Sequence, residues 1–392
     1  MSTLVAARPL CPTVRSAAVP GYQICTRCIM DTSDPEIEFS LDGTCNHCQR
    51  YERRAAVEVP TPDLAAERMT ALVERIRRQG HRKPYDCIIG VSGGVDSTTV
   101  AYHVRRLGLR PLALHLDNGW NSELAVHNIH QTLNALQIDL HTHVVEWAEF
   151  RDLQLSFLRA SVPNCEIPTD HAINALLINT AVKMGIRYIL HGGNLVTEGI
   201  LPYAWTYYNQ DLRHLRAIHH RFGSMRLSTL PQISLPRFVS AILLHGVRYI
   251  PILNYLDYRK NEAKELVQRE LGWRDYGGKH HESIYTRFYQ GYILPAKFGF
   301  DKRRAHLSTL VCSGQMTRAE AMQEIRREAY DPSTLDRDRE FVIKKLGITR
   351  AEFECLMHSP PKRHSDYPSN RFFFHELQGL RERFKAIATA RA

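Results

Sequence analysis

The sequence predicts an α/β protein built on a doubly wound, mostly parallel sheet, with a cysteine-rich N-terminal segment and a helical C-terminal extension. The almost fully apolar run at 87–91 is typical of a strand buried on both faces, and further strands are predicted at 111–116, 140–145 and 188–190. Helical patterns alternate with them, at 98–107, 122–136, near 147–160 and at 170–184. A glycine-rich turn follows the first apolar run. This alternation indicates parallel strands joined by crossover helices.

The size and composition of the chain narrow its class. Its 392 residues correspond to roughly two to three domains. With 44% apolar and 23% charged residues, the chain is not collagen-like, disordered or a disulfide-stapled miniprotein. No apolar run reaches the ~18 residues of a membrane-spanning helix, so no membrane association is expected. Residues 1–20 lack a secretory apolar core, because Arg8 and Pro9 interrupt it, and a cytoplasmic location is expected by elimination.

The charge balance favours anionic partners. Lys and Arg number 51 against 41 Asp and Glu, which gives a formal charge of +10. Nucleotides, acidic sugars, RNA and anionic lipid all fit such a surface. Solvated faces of Arg-rich helices, such as 67–84 and 318–328, account for the excess equally well.

The sequence divides into four parts. We expect a disordered tail at 1–20, a cysteine-rich segment at 21–55, an α/β domain at 56–200 and a mainly helical substrate region at 201–392. Beyond residue 200 aromatic, proline and basic residues are mixed, and helical patterns return at 317–350, 351–357 and 371–388.

Two CxxC pairs mark the cysteine-rich segment. Its four cysteines are Cys25, Cys28, Cys45 and Cys48. Two such pairs at this separation can surround one Zn²⁺, and four protein ligands leave no open position, so the ion would be structural. The segment is too poor in apolar residues to fold alone, and a metal would supply that energy. His47 as a ligand and an iron–sulfur cluster are the alternatives.

The strongest chemical motif follows the first predicted strand. It reads Ser92-Gly93-Gly94-Val95-Asp96-Ser97 and leads into a helix. Glycines let a ligand approach the backbone, and the amide groups at a helix N-terminus favour an anion. The carboxylate of Asp96 would repel a bare phosphate, so the motif implies a bridging cation such as Mg²⁺. The alternative is an ordinary Gly-Gly turn with a polar cap.

Two further strand ends carry polar groups and glycines. His115 and Asp117 end the second strand, and Gly192, Gly193 and Asn194 follow a later one. Because ligands bind at the carboxyl ends of parallel strands, we place these groups near the ligand of the glycine-rich loop. Alternatively, the first is a good turn and His191 is a core histidine. A basic, aromatic stretch at 271–315 could clamp phosphates or a sugar carboxylate, or form a basic helical surface.

The SGGVDS loop resembles the pyrophosphate-binding loop of the N-type ATP pyrophosphatases, which implies a PP-loop, HUP-like fold. The chain also resembles the N-acetyl sugar amidotransferases of surface-polysaccharide (LPS, O-antigen) synthesis. The shared pieces are the CTRC and CNHC knuckles, VSGGVDS, LDNGWNSELA, HGGN and the late GGKHHES and TRFYQGYILPAKFGFDKRRAHLS block. This resemblance runs from about residue 22 to about 330, and the last 60 residues add little to it.

The resemblance implies an ATP-dependent conversion of an acetamido group on a nucleotide-linked sugar into an acetamidino group. The amide oxygen is adenylylated, ammonia attacks, and AMP and pyrophosphate leave. Ammonia would come from a glutamine amidotransferase subunit with a cyclase-like subunit, since the chain shows no glutaminase site of its own. Nucleic acid is not an expected partner.

The resemblance also assigns roles to residues, with ATP, Mg²⁺ and structural Zn²⁺ as cofactors. The expected catalytic residues are Ser92, Asp96, Ser97, Glu198 and Lys279. The expected cofactor-binding residues are Gly90, Val91, Ser92, Gly93, Gly94, Val95, Asp96, Ser97, His115, Asp117, Gly192, Gly193, Asn194, Lys297 and Arg303. A tRNA thiolase of the same superfamily is the main alternative, although such enzymes need further catalytic cysteines. A non-catalytic nucleotide-binding regulator is another.

Overall fold

A five-stranded parallel sheet forms the centre of the molecule. The computed structural model describes residues 21–277, 282–376 and 379. The strands are β1 (Cys87–Gly90), β2 (Pro111–Asp117), β3 (Asp139–Val144), β4 (Tyr188–His191) and β5 (Arg248–Pro251). Their spatial order is β3-β2-β1-β4-β5, and every neighbouring pair is parallel. The chain therefore moves outward in one direction to β3 and then restarts on the other side of β1 with β4. This confirms the predicted doubly wound α/β class.

Helices cover both faces of the sheet and form most of the C-terminal region. In chain order the α-helices of the described residues are α1 (Asn46–Glu58), α2 (Pro62–Gly80), α3 (Val95–Arg106), α4 (Glu123–Leu136), α5 (Trp147–Ala160), α6 (Ile167–Met184), α7 (Leu195–Glu198), α8 (Leu212–Phe222), α9 (Leu235–Leu243), α10 (Lys260–Leu271), α11 (Ile284–Phe288), α12 (Arg303–Cys312), α13 (Arg318–Arg326), α14 (Pro332–Leu346) and α15 (Arg350–His358). A π-helix, Tyr289–Phe298, continues α11. No helix among the described residues is long and apolar enough to cross a bilayer.

The central strands separate two apolar layers. Successive residues of a strand point to opposite faces, and Ile88 joins the layer that contains Phe150 and Phe157 while Ile89 joins the layer that contains Val100. The predicted burial of β1 on both faces is confirmed, and the central residues of β2 and β4 are almost wholly buried as well. β3 differs because it lies at the sheet edge, where all of its residues are exposed or partly exposed.

The strand β5 has no counterpart among the predicted strands. This strand is four residues long and partly exposed, and its sequence, RYIP, contains a charged residue and a proline. Such a strand is tolerated at a sheet edge, where one side needs no backbone partner, and it gives no apolar run to detect. The region taken as a helical extension therefore contributes a strand to the central sheet. The helical pattern at 317–350 is two helices, α13 and α14, with Pro332 at the start of the second.

The cysteine-rich segment docks on the C-terminal helices. Arg318 of α13 donates hydrogen bonds to the backbone oxygens of Cys25 and Cys28, and the backbone N–H of Ile29 donates to the hydroxyl of Ser308 in α12 at 3.1 Å. The N-terminal segment is thus held by residues almost 300 positions away in the chain. The predicted tail at 1–20 and the end of the predicted helix at 371–388 lie outside the described residues.

Candidate functional site

The glycine loop joins the end of β1 to the start of α3. Gly93 has a φ of +82°, in the left-handed region that favours glycine. A Cβ atom at this position would also lie 2.7 Å from the backbone oxygen of Ala125 in α4. Glycine is therefore required here by backbone conformation and by space, and the alternative of an unspecialised turn does not explain this fit.

Internal hydrogen bonds fix the shape of the loop. The backbone N–H of Ser92 donates to the hydroxyl of Ser97 at 3.3 Å, and that hydroxyl donates to the backbone oxygen of Gly94 at 3.1 Å. The backbone N–H of Gly94 donates to the hydroxyl of Ser92 at 3.3 Å. The loop lies at the N-terminus of the 12-residue helix α3, and the dipole of this helix favours an anion there.

Two aromatic side chains hold the carbonyl group of Gly93. The indole N–H of Trp273 donates to this oxygen at 2.7 Å, and the hydroxyl of Tyr276 donates to the same atom. Because the Gly93 carbonyl and the Gly94 amide share one peptide plane, these bonds also set the direction of the Gly94 N–H. Sequence reasoning placed both residues in the basic, aromatic stretch but gave neither a role. Their tertiary position makes them positioning residues of the loop.

Asp96 lies in the first turn of α3 and accepts a hydrogen bond from the hydroxyl of Tyr258. Burial, together with the nearby carboxylates of Asp96 and Glu198, raises the pKa of Tyr258 well above its usual range. The Tyr258 hydroxyl therefore remains a hydrogen-bond donor at neutral pH. Glu198, in the short helix after β4, lies near the same tyrosine, so the structure brings Asp96 and Glu198 to one side of the loop.

The turn after β4 packs directly on Asp96. A Cβ atom at Gly192 would lie 2.9 Å from the backbone carbonyl carbon of Asp96, and one at Gly193 would lie 3.7 Å from a carboxylate oxygen of Glu198. Asn194 caps the N-terminus of α7, because its side-chain oxygen accepts a hydrogen bond from the backbone N–H of Thr197 at 2.9 Å. The predicted HGGN residues therefore lie beside the glycine loop, as the topology of a parallel sheet requires.

His115 and Asp117, at the end of β2, form a second flank of the site. The Nδ1 atom of His115 lies 2.9 Å from the backbone oxygen of Val91, and its Nε2 atom lies 3.1 Å from the side-chain nitrogen of Asn121. This pattern fits a neutral ring that donates from Nδ1 and accepts at Nε2. Burial lowers the pKa of His115, which agrees with the neutral form. His115 thus supports the loop through Val91.

Two of the predicted phosphate ligands have other partners. Lys297 donates to the backbone oxygen of Leu356 and lies among apolar side chains that include Phe353. Arg303 makes a two-pronged ion pair with Asp301, with contacts of 2.7–3.2 Å. These contacts do not support a role in phosphate binding for either residue. Lys279 lies outside the described residues.

The C-terminal region supplies site residues that the sequence analysis missed. Asn121 and Ser283 form an antiparallel bridge, and the backbone N–H of Ser122 donates to the backbone oxygen of Glu282 at 2.8 Å. This places a carboxylate oxygen of Glu282 3.6 Å from where a Cβ atom of Gly94 would lie. On the same flank, Lys345 donates to the backbone oxygen of Gly119. No local signal in the sequence could have indicated these approaches, because each depends on the packing of distant segments.

The four cysteines of the two CxxC pairs form one buried cluster. Their sulfur atoms all lie within 4.8 Å of one another, and three separations are 3.7–3.8 Å. Four sulfurs about 2.3 Å from a central Zn²⁺ in a tetrahedron would lie about 3.8 Å apart. Backbone N–H groups of Arg27, Cys28 and Cys45 point at the sulfur of Cys25 at 3.3–3.4 Å, which suits a thiolate. The donor set fits a single tetrahedral Zn²⁺ and leaves no space for several iron atoms.

His47 is not part of this cluster. Its Nε2 atom lies 2.6 Å from a carboxylate oxygen of Asp34, and both residues are buried. The alternative that His47 replaces a cysteine ligand is therefore wrong in this structure. The histidine instead ties the knuckle to the turn that precedes it.

Comparison with known proteins identifies one part of the chain. Residues 282–381 match the family model described as LPS biosynthesis protein WbpG-like, C-terminal domain. The match continues past residue 330, where the resemblance was expected to weaken. A search of curated proteins gives no match.

The structural likenesses are distant. An NMN synthetase from Francisella tularensis is 16% identical, covers 59% of this chain and 93% of its own length, and has a TM-score of 0.29. An NH3-dependent NAD synthetase from Campylobacter jejuni is 13% identical, covers 77% of this chain and 99% of its own, and has a TM-score of 0.30. A tRNA methyltransferase subunit from Methanocaldococcus jannaschii is 12% identical over 47% of this chain and 75% of its own, with a TM-score of 0.27. These scores carry no weight for function. The family match is thus a similarity of residues 282–381 to the C-terminal domain of the WbpG-like LPS biosynthesis proteins.

Proposed function

We propose that this protein is an ATP-dependent amidotransferase that converts an acetamido group of a nucleotide-linked sugar into an acetamidino group. One observation carries the proposal: Glu282, the first residue of the segment that matches the WbpG-like family model, lies against Gly94 of the glycine loop. The loop that would bind the nucleotide and the segment that is similar to LPS biosynthesis proteins are therefore in contact.

The proposed chemistry has two steps. The amide oxygen of the acetamido group attacks the α-phosphorus of ATP, the bond to the β-phosphate oxygen breaks, and pyrophosphate leaves. Ammonia then adds to the activated carbon, the C–O bond breaks, and AMP and a proton leave with the acetamidine formed. Because AMP is a far better leaving group than oxide, activation makes substitution feasible at neutral pH. The protein contributes positioning and charge stabilisation to both steps.

The residues of the loop have distinct roles in this proposal. The backbone N–H groups of the first turn of α3 would donate to the β- and γ-phosphates that leave as pyrophosphate. Asp96 and Glu198 would hold a Mg²⁺ ion that offsets the phosphate charge. Trp273 and Tyr276 keep the loop in its binding shape through the carbonyl of Gly93.

Ammonia requires a separate source under this proposal. We propose a glutamine amidotransferase subunit, with a cyclase-like subunit between them, as the sequence resemblance implies. A direct test is product analysis with glutamine, with and without such subunits, and with ammonium salt alone. Turnover with ammonium salt alone, but not with glutamine alone, is the expected result for the isolated chain.

The central test is the identity of the nucleotide product. Incubation with ATP, Mg²⁺, ammonium and a panel of nucleotide-linked acetamido sugars should give AMP and pyrophosphate, together with a sugar product that is lighter by about 1 Da. The mass change follows from the replacement of oxygen by NH. ADP as the product would overturn the proposal, and so would turnover without any sugar in the panel.

A pair of variants links that chemistry to the loop. Asp96→Asn should abolish turnover while the protein stays folded. Asp257→Asn is the matched control, because Asp257 is an exposed carboxylate next to Tyr258 in the chain. Within the described residues its one ion pair is with the exposed Arg259, at 3.5 Å. Near-normal turnover of Asp96→Asn would remove Asp96 from the mechanism.

The structure weighs against the thiolase alternative. Cys87 and Cys165, the cysteines of the predicted α/β domain, are both buried. Burial raises the pKa of both thiols, that of Cys165 to about 12. Neither would be a thiolate at neutral pH, so neither is placed to carry sulfur. Thiolated tRNA formed by the purified protein would reverse this conclusion.

A further inference from the structure

A fifth cysteine touches the four-cysteine cluster. Cys312, the last residue of α12, has its sulfur 3.6 Å from the sulfur of Cys48. The four cysteines of the cluster are completely buried, whereas Cys312 is half-buried. The two contacting residues are 264 positions apart, so only the docking of the N-terminal segment on α12 brings them together.

This sulfur is surplus to a tetrahedral site. Four thiolates already complete the coordination of one Zn²⁺, and Cys312 does not belong to the set of sulfurs that all lie within 4.8 Å of one another. It lies outside one corner, against Cys48. The helix ends at Cys312 and is followed by Gly314, which has a φ of +73°. The chain therefore turns at once beyond Cys312, and a small shift of the helix end could close the gap to a disulfide length of about 2.05 Å.

We propose that Cys312 is an oxidation site that forms a disulfide with Cys48 and thereby releases the bound metal ion. A hydroperoxide is the oxidant. The thiolate of Cys312 attacks the peroxide, the O–O bond breaks, and a sulfenic acid and hydroxide (or an alkoxide) form. The thiolate of Cys48 then attacks the sulfenic sulfur, the S–O bond breaks and hydroxide leaves. Two electrons pass from the two sulfurs to the peroxide, and two protons from the buffer convert the oxygen products to water (or to water and an alcohol).

The order of events follows from exposure. A hydroperoxide reaches the half-buried Cys312 before the fully buried ligands, and the nearest sulfur to the oxidised atom is Cys48. Once Cys48 is in a disulfide, its sulfur is no longer a thiolate and binds the metal only weakly. Three thiolates remain, so the affinity for Zn²⁺ falls and the ion leaves.

The consequence extends toward the glycine loop. Tyr51 of α1, three residues after Cys48, packs against Gly199, where a Cβ atom would lie 2.9 Å from the tyrosine ring. Gly199 follows Glu198 directly. Loss of the metal therefore loosens the support of Glu198, a consequence that matters for catalysis only if the proposed function holds.

The test uses the full-length, zinc-loaded protein and needs neither ATP nor sugar, so its failure is separate from failure of the proposed function. Hydrogen peroxide is added, zinc release is followed with a chromogenic chelator, and disulfides are mapped by alkylation and mass spectrometry. We expect zinc release together with a Cys48–Cys312 disulfide. Reductant and added zinc should reverse both.

Two variants make the test specific. Cys312→Ser should slow zinc release at least tenfold, while Cys355→Ser should behave as the parent, because Cys355 is exposed but lies outside the cluster. Zinc release from Cys312→Ser at the parental rate would overturn the proposal, as would a disulfide formed only within the four ligands. Loss of zinc from Cys312→Ser before any oxidant is added would also overturn it, since Cys312 would then be a ligand. If that variant does not fold, the disulfide map of the parent protein decides the question.

Discussion

The close packing of Gly192 on Asp96 gives a quantitative prediction. Replacing Gly192 with alanine places a methyl carbon 2.9 Å from the backbone carbonyl carbon of Asp96 and 3.1 Å from its Cβ and backbone oxygen. Carbon atoms pack at about 3.5–4.0 Å, so the two segments must separate by roughly 0.5–1 Å. All three atoms belong to Asp96 and two are backbone atoms, so no flexible side chain can move aside.

The energetic cost can be set from this displacement. Overpacking of a rigid contact costs about 1–3 kcal/mol, so Gly192→Ala should lower the free energy of unfolding by that amount. Under the proposed function, the shift also moves Asp96 away from the position from which it would hold Mg²⁺. We expect Mg²⁺-ATP to bind at least ~10-fold more weakly, since ~1.4 kcal/mol of lost contact energy corresponds to a factor of ten.

Gly90→Ala, at the end of the neighbouring strand, is the matched control for the unfolding measurement. Its Cβ atom would lie 3.7 Å from two methyl carbons of Leu177, which is an ordinary contact. Denaturant unfolding would be measured for both variants, and titration calorimetry with Mg²⁺-ATP would compare Gly192→Ala with the parent protein. Unfolding like that of Gly90→Ala, together with the parental affinity for Mg²⁺-ATP, would refute the reasoning, because the close approach to Asp96 would then have no energetic consequence.

Three further predictions concern the loop, the acid stability and the metal. Trp273→Phe removes the indole N–H that holds the Gly93 carbonyl group and leaves the hydrogen bond from Tyr276. The variant should bind Mg²⁺-ATP more weakly by about 0.5–1.5 kcal/mol, measured by calorimetry. An unchanged affinity would contradict the positioning role of Trp273. Burial raises the pKa of Glu149, but hydrogen bonds from Ser228, Thr229 and Leu230 outweigh it and bring the pKa to about 2 against an ordinary 4.5. This lowered pKa stabilises the fold by about 3 kcal/mol above pH ~4.5, and the contribution is lost as the pH falls toward 2. The difference in unfolding free energy between the parent and Glu149→Gln should therefore become smaller over that pH range. A difference that stays constant would refute this role of Glu149. Removal of the metal by a strong chelator should lower the melting temperature and expose the cluster thiols to alkylation. The metal assignment would be wrong if the purified protein contains no zinc and its melting temperature does not change when the chelator is added.

Much of the fold could be predicted because short segments of the sequence indicate their own secondary structure. The apolar runs of β1, β2 and β4 are buried on both faces, and that burial leaves a sequence pattern without polar alternation. The exposed edge strand β5 has no such pattern and was missed. The candidate site shows the same contrast: the glycine loop is one contiguous motif, whereas Lys297 and Arg303, whose roles came from the resemblance, have partners elsewhere.

The sequence by itself determined the two motifs that concentrate chemistry: the SGGVDS loop and the four cysteines. Each depends on residue types at fixed short spacing, so each is present in the linear chain before it folds. The tertiary structure alone decided what surrounds them. It placed Trp273 and Tyr276 on the carbonyl of Gly93, Glu282 over Gly94, and Cys312 against Cys48. These contacts join segments more than 150 residues apart, and their geometry is set by the packing of whole helices, which no local pattern of residues records.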